Sequence, residues 1–206
     1  WGADLVVGEG QPFGIGPTGG GPIYGLFACT KPYLRQMPGR IVGQTRDEEG
    51  REAYTLTLST REQHIRRNKA TSNICSNETL IALMGAMHMA LLGPGGIERL
   101  ALRNVAACEA TKRAILAVEG IELLHPKASH YNEFTVRVPQ SAESALQFLE
   151  ERGVTGGLEL AATTKGAQPD WLLISATDQT SNSDIEALAE GLSAWLRQWQ
   201  WRLANE

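Results

Sequence analysis

Gly8-Glu9-Gly10-Gln11-Pro12-Phe13-Gly14-Ile15-Gly16-Pro17-Thr18-Gly19-Gly20-Gly21-Pro22 is the stretch on which the fold turns. Within it, Gly14-Ile15-Gly16-Pro17-Thr18-Gly19 spells GxGxxG, the pattern of a dinucleotide-binding turn. That chemistry needs a helix to begin inside the motif, so that its first amides meet a pyrophosphate. Here Pro17 sits where the helix would start, Gly20-Gly21-Pro22 follow, and then comes a β-like run, Ile23–Cys29. No Gly-Lys-Ser/Thr closes the stretch, so a Walker A loop is excluded as well. It reads as a glycine-rich connection between two strands, Ala3–Val7 (expected to be buried) and Ile23–Cys29. Glycines there permit positive φ and close backbone approach, which leaves open a loop packed against a ligand or partner.

The composition around this stretch is ordinary. The chain has 206 residues, 42% hydrophobic and 20% charged. That is a soluble globular composition, sufficient for one ample domain or two small ones. Glycine is the outlier: 22 in all, nine of them between Gly2 and Gly25. With 23 acidic against 19 basic residues the net charge is −4, which argues against nucleic-acid or anionic-membrane partners. The opening Trp1-Gly2-Ala3-Asp4 has no initiator Met, basic segment or signal-type run, and reads as the middle of a domain. The chain is therefore expected to be a piece of a longer subunit. Cys29, Cys75 and Cys108 show no metal spacing and no framework, which suggests free thiols in a reducing, cytoplasmic compartment.

Further along, Tyr33–Met37 reads as a helical turn stopped by Pro38-Gly39. Arg40–Gly43 and the alternating Tyr54, Leu56 and Leu58 predict a hairpin with a half-buried strand around the turn Asp47–Gly50. Ser76-Asn77-Glu78 predicts an N-cap for a helix that is apolar nearly all round, hence sandwiched between layers. Its apolar run, Leu80–Leu92, is too short to span a bilayer, which needs about 20 residues. His88 reads as a core residue. Gly93-Pro94-Gly95-Gly96 should stop the helix. The expected domains are 1–77, an interdomain helix and boundary over 78–96, and a small α+β domain over 97–206. In that last part, Ile97, Leu100, Ala101, Val105, Cys108, Ile115 and Leu116 predict an amphipathic helix. Phe134, Val136 and Val138 predict a strand, Ser141 caps a helix, and Trp171–Ala176 is a strand. Ser183-x-x-Glu186 fits a capping box before the stripe Ile185, Leu188, Ala189, Leu192, Trp195, Leu196 and Trp199. Glu109, Lys112 and Arg113 read as surface, and His125 and His130 as loop residues.

The segment from Arg61 to Asn77 collects Arg61, His64, Arg66, Arg67 and Lys69 before small hydroxyl and amide residues. Cations and bare amides ahead of a helix suit a phosphate, although charge runs are more often solvated faces.

Several strings carry a resemblance: Trp1–Asp4, Gly8–Gly14, Gly20–Pro22, Met37–Gly43, Thr60–Arg67, Lys69–Cys75 and Ala90–Pro94. Together they resemble the glycine cleavage system P protein, specifically the C-terminal part of the alpha subunit (subunit 1) of its two-subunit form. The resemblance is dense from Trp1 to Gly96 and rests on element order beyond. It implies fold type I, the aminotransferase-like α/β fold of pyridoxal-phosphate enzymes, here as a remnant of the large domain plus a small α+β domain. It also implies glycine decarboxylation, with the aminomethyl group passing to the lipoyl arm of the H protein.

In the paralogous beta subunit a lysine just before the glycine loop anchors the cofactor, and Gln11 falls at about that position here. An amide forms no imine, and Lys31 comes only after the loop and the next strand. The resemblance therefore implies a non-catalytic partner whose beta subunit holds the pyridoxal phosphate. Thr71, Ser72 and Asn73 stand where such a neighbour donates to the cofactor phosphate in trans, with Arg61, His64, Gly20 and Gly21 lining the entrance. Asn68 and Thr177–Thr180 depart from the family's charge pattern. The competing reading is a degenerate scaffold of the same fold with no role in the active site.

Overall fold

A computed structural model describes residues 2–57, 63–70 and 78–205. The chain divides into two compact units, Trp1–Gly93 and Pro94–Glu206.

The first unit opens with β1 (Leu5–Glu9) and β2 (Gly25–Cys29). They pair antiparallel, Leu5 opposite Cys29 and Glu9 opposite Gly25, with the glycine-rich stretch as their connection. Its only helical piece is a single 3-10 turn, Thr18–Gly20, which confirms that no dinucleotide-binding helix starts there. Lys31–Gln36 forms a 3-10 turn with Pro32 at its start. β3 (Ile41–Arg46) and β4 (Glu52–Thr57) make the expected hairpin. Its turn is closed by the Asp47 carboxylate, which accepts from the Arg51 amide at 2.8 Å, and Gly50 supplies a φ of 80°. A short α1 (Gln63–Arg66) and a 3-10 turn (Arg67–Lys69) follow.

Burial departs from expectation in this unit. Leu5, Val6 and Val7 of the strand expected to be buried are 53%, 59% and 69% exposed. Tyr54 and Leu56 of the expected half-buried strand are also exposed. The reason is architectural: β1–β2 and β3–β4 are two separate two-stranded sheets, and among the described residues no further layer covers their apolar side chains. Leu58, Cys75 and the Ser76-Asn77 cap lie outside the described residues.

The helix of residues 80–92 belongs to α2 (Thr79–Leu116), which runs through the expected stop. Gly93, at φ 63° and ψ 175°, breaks the helical geometry for one residue, and Pro94 begins a second arm. Proline tolerates the first turn of a helix, where its missing N–H has no partner to lose. The stop is thus a break between two arms. By length and composition α2 could cross a membrane, one window reaching a mean hydropathy of 1.6. Its first arm, residues 79–92, extends only about 21 Å, short of a hydrocarbon core of about 30 Å.

The second unit holds the core. Its sheet has the order β5-β6-β8-β7, antiparallel throughout, with β5 (Glu122–Leu123), β6 (Glu133–Arg137), β7 (Leu158–Glu159) and β8 (Trp171–Ser175). One sheet face presents Phe134, Val136, Leu172 and Ile174. Onto it pack the second arm of α2, α3 (Ala142–Glu150) and α4 (Asn182–Leu203). The α4 stripe is as expected: Ile185, Leu188, Leu192, Trp195 and Leu196 are buried. Ser141 caps α3 by accepting from the Ser144 amide at 3.2 Å.

Three local expectations are corrected. On α2 the inward row is Asn104, Cys108, Thr111 and Ile115, continued by Val118 just past its end, while Val105 and Leu116 face outward. The i, i+4, i+7 spacing favours that row, and the two polar members satisfy themselves through the Leu100 and Ala107 carbonyls. The box on α4 starts two residues earlier than expected: Ser181 Oγ accepts from the Asp184 amide, and the Asp184 carboxylate accepts from the Ser181 amide at 2.8 Å. Lys112 is not ordinary surface. Its Nζ lies 2.6 Å from Glu109 Oε1 and 2.8 Å from His130 Nε2, and the Lys112 and His130 side chains are largely covered.

Candidate functional site

The candidate site is the turn that leaves β1. Glu9 ends the strand, and its carboxylate turns back onto the loop. Oε1 accepts from the Gln11 amide at 2.9 Å and from the Tyr24 amide at 3.3 Å, drawing together the two ends of the connection. The Gly10 amide adds a 2.7 Å bond to the Tyr24 carbonyl. Tyr24 is buried, one of the few such residues in this unit. Its ring lies against Gly10 on one side and Gly85 of α2 on the other, and a Cβ at either glycine would overlap it. Gly14, at φ 93°, sits against His88, where a Cβ would approach the His88 Cβ to 2.8 Å. His88 is thus half-covered by the loop and is not a core residue.

Two polar atoms at this turn stand out. The Gln11 Nε2 and the Tyr24 hydroxyl are buried and hydrogen-bond to nothing among the described residues. Leaving such groups unsatisfied costs about 1–3 kcal/mol each. The expected site residues are placed as follows. Gln11 is in the turn. Gly20 ends the 3-10 turn and Gly21 follows it, with open space where side chains would be. His64 is on α1, its side chain outside the described residues, as are Arg61, Thr71, Ser72 and Asn73 altogether. Glu9 and Tyr24 were missed by sequence reasoning. Glu9 carried one signal, an acid between two glycines at a strand end; Tyr24 carried none.

A cofactor held as an imine needs a primary amine here. Gln11 offers an amide, and the unit's lysines, Lys31 and Lys69, are exposed and stand outside the turn. Among the described residues the turn thus offers no primary amine to an aldehyde cofactor. Among the described residues no group of His, Cys, Asp or Glu could hold a metal.

Comparison places this architecture first in a fold class. The cystine C-S lyase C-DES, solved with its product cysteine persulfide, superposes with a TM-score of 0.52 over 83% of this chain and 42% of its own, at 17% identity. The fold is the mixed α/β fold of the aminotransferase-like, fold type I enzymes, present in part. A solved glycine decarboxylase (P-protein) of the glycine cleavage system, in inhibitor-bound form, superposes with a TM-score of 0.81 at 40% identity, covering 94% of this chain and 44% of that one. A probable glycine dehydrogenase (decarboxylating) subunit 1 from Rhizorhabdus wittichii is 46% identical over 94% of this chain. The family model for the glycine cleavage system P-protein matches residues 1–192. The chain belongs to the glycine cleavage system P-protein family. It spans 42% of the length of the Rhizorhabdus relative.

Proposed function

We propose that this chain is a non-catalytic alpha-subunit part of a pyridoxal-phosphate-dependent glycine decarboxylase. The reaction converts glycine and lipoylated H protein to aminomethyl-lipoyl H protein and CO2. The cofactor belongs to a partner beta subunit, and the assembly is cytoplasmic. Pyridoxal phosphate supplies an electron sink for the bond to the departing carboxylate; no step of that chemistry is assigned to this chain. In this reading its large-domain part is Trp1 to Asn77, and its small domain begins after Gly96.

The observation that carries the reading is Gln11. It stands in the turn after β1, at about the family's lysine position, with its amide nitrogen buried. What remains for the chain is support of the partner's site. Thr71, Ser72 and Asn73 would donate hydroxyl and amide hydrogens to the cofactor phosphate ahead of α2, where the helix N-terminus favours an anion. Arg61, His64, Gly20 and Gly21 would border the entrance.

The test combines the chain with a beta subunit and pyridoxal phosphate and follows glycine–bicarbonate exchange. Exchange should require both chains, and Thr71→Ala should weaken cofactor affinity by about tenfold, the loss of one charge-assisted bond. Unchanged affinity in the variant, or lysine-bound cofactor absorbance on this chain alone, refutes the reading.

A further inference from the structure

The glycine-rich connection touches α2 at two places about one helical turn apart. Tyr24 meets Gly85, and Gly14 meets His88 on the same arm. Tyr24 is 6% exposed, the one buried aromatic or aliphatic side chain among the described residues of this unit. Its ring edge fills the place of a Gly10 Cβ, and its hydroxyl end fills the place of a Gly85 Cβ. Neither glycine has a positive φ, so backbone conformation does not call for glycine at either position. A helix interior disfavours glycine as well, which leaves the ring as the reason for Gly85. The Tyr24 backbone closes the loop on itself. Its amide donates to Glu9 Oε1 at 3.3 Å, and its carbonyl accepts from the Gly10 amide at 2.7 Å. One residue thus joins the two ends of the loop and seats them on the first arm of α2. In the sequence, Thr71–Asn73 lie just ahead of that arm.

We infer that Tyr24 is a positioning residue: wedged between Gly10 and Gly85, it holds Gly20 and Gly21 of the loop in register with the first arm of α2, and so shapes the entrance to the partner's cofactor site. The inference rests on the function proposed above and goes beyond it, since Tyr24 is given no contact with substrate or cofactor. Misplacement and misfolding leave different kinetic traces. A chain that folds less often lowers the amount of active complex, so the maximal rate falls at constant KM. A displaced entrance weakens substrate binding while the chemistry on the partner's cofactor is untouched, so KM rises at constant kcat.

The experiment combines the full 206-residue chain with a beta subunit and pyridoxal phosphate, and follows glycine–bicarbonate exchange over a range of glycine concentrations. Gly85→Ala puts a methyl where the end of the ring stands, in a residue type that the helix prefers. It should raise the KM for glycine by about threefold or more with kcat nearly constant. Gly10→Ala should do the same from the other side of the ring. Tyr24→Phe keeps the wedge and should keep both parameters. Tyr24→Leu in the Gly85→Ala background makes room for the added methyl and should recover part of the KM, a coupling that independent sites do not show. Hydrogen exchange on the chain alone gives a readout without activity. The amides of Gly10, Gln11 and Tyr24 should exchange at least about tenfold faster in Gly85→Ala, with those of residues 133–137 in the other unit unchanged. A fall in maximal rate at unchanged KM, unchanged amide exchange in Gly85→Ala, or a KM raised as much by Tyr24→Phe would each overturn the inference and leave the proposed function standing. Exchange activity that does not need this chain refutes the proposed function, and the positioning role falls with it.

Discussion

Leu149 offers the sharpest test of how the second unit is held together. Its side chain is completely buried, and it lies between two glycines. A Cβ on Gly156 would overlap its Cδ1, and a Cβ on Gly191 of α4 would overlap its Cδ2. Leu149→Ala removes three carbons, a transfer loss of about 2.4 kcal/mol at about 0.8 per methylene. Neither glycine has a side chain to relax into the void, so the cavity term should persist, and a total of about 3–5 kcal/mol is expected. Gly191→Ala alone should cost about 1–3 kcal/mol in overpacking, offset by about 1 kcal/mol of helix propensity. With Leu149 already cut back, the clash is gone and the added methyl fills space, so the same change should restore about 1–2 kcal/mol. Urea unfolding of the full chain, read through the fluorescence of buried Trp195, measures all four corners of the cycle. The two substitutions should couple by at least about 1 kcal/mol. Simple additivity would refute the claim that Gly191 is glycine because Leu149 occupies its Cβ position.

Tyr24→Phe deletes a buried hydroxyl that has no partner among the described residues while keeping the ring between Gly10 and Gly85. Stability of the first unit, followed by hydrogen exchange at residues 24–29, should hold or rise by up to about 1 kcal/mol; a loss would mean that the hydroxyl is satisfied. The hydrogen bond from Lys112, ahead of the one to His130, holds the Glu109 carboxyl below the usual carboxylate range. A depressed carboxyl stabilises the fold above its unfolded pKa and loses that contribution as pH falls through the folded value. Glu109→Gln should therefore lower stability slightly at neutral pH and flatten the acid limb below about pH 4.5, as a pH series of urea midpoints would report.

Legibility in the sequence follows where each side chain's partners lie. Phe134, Val136 and Val138, and the α4 stripe from Ile185 to Trp199, were readable because the layers they pack on belong to the same unit. The α4 cap was misplaced because Ser181 and Ser183 are equally suited to the role. The choice falls to Ser181 through reciprocal bonds with Asp184, a matter of geometry that spacing does not specify. The Lys112–His130 contact joins residues 18 apart through a loop, and no periodicity reports it. In the first unit the element types were readable and the burial was not. The patterns of β1 and of the first α2 arm are those of covered elements, and among the described residues their apolar side chains stay exposed. Of the candidate site, the absence of a lysine at Gln11 was legible. The clamp through Glu9 and Tyr24 was not, because it closes a loop across fifteen positions.

The glycines of the opening stretch divide by the same criterion. Gly10 is required by the Tyr24 ring and Gly14 by His88, so local packing accounts for both. Gly16, Gly21 and Gly25 have neither a positive φ nor any neighbour within 4 Å of where a Cβ would stand. Each such glycine raises the entropy cost of ordering the loop, by roughly 0.5–1 kcal/mol relative to alanine in regular structure. Bare backbone is useful where another surface must come within van der Waals reach of the main chain. One side of the loop is thus fitted to Tyr24 and α2, and on the other Gly16, Gly21 and Gly25 leave the main chain bare among the described residues.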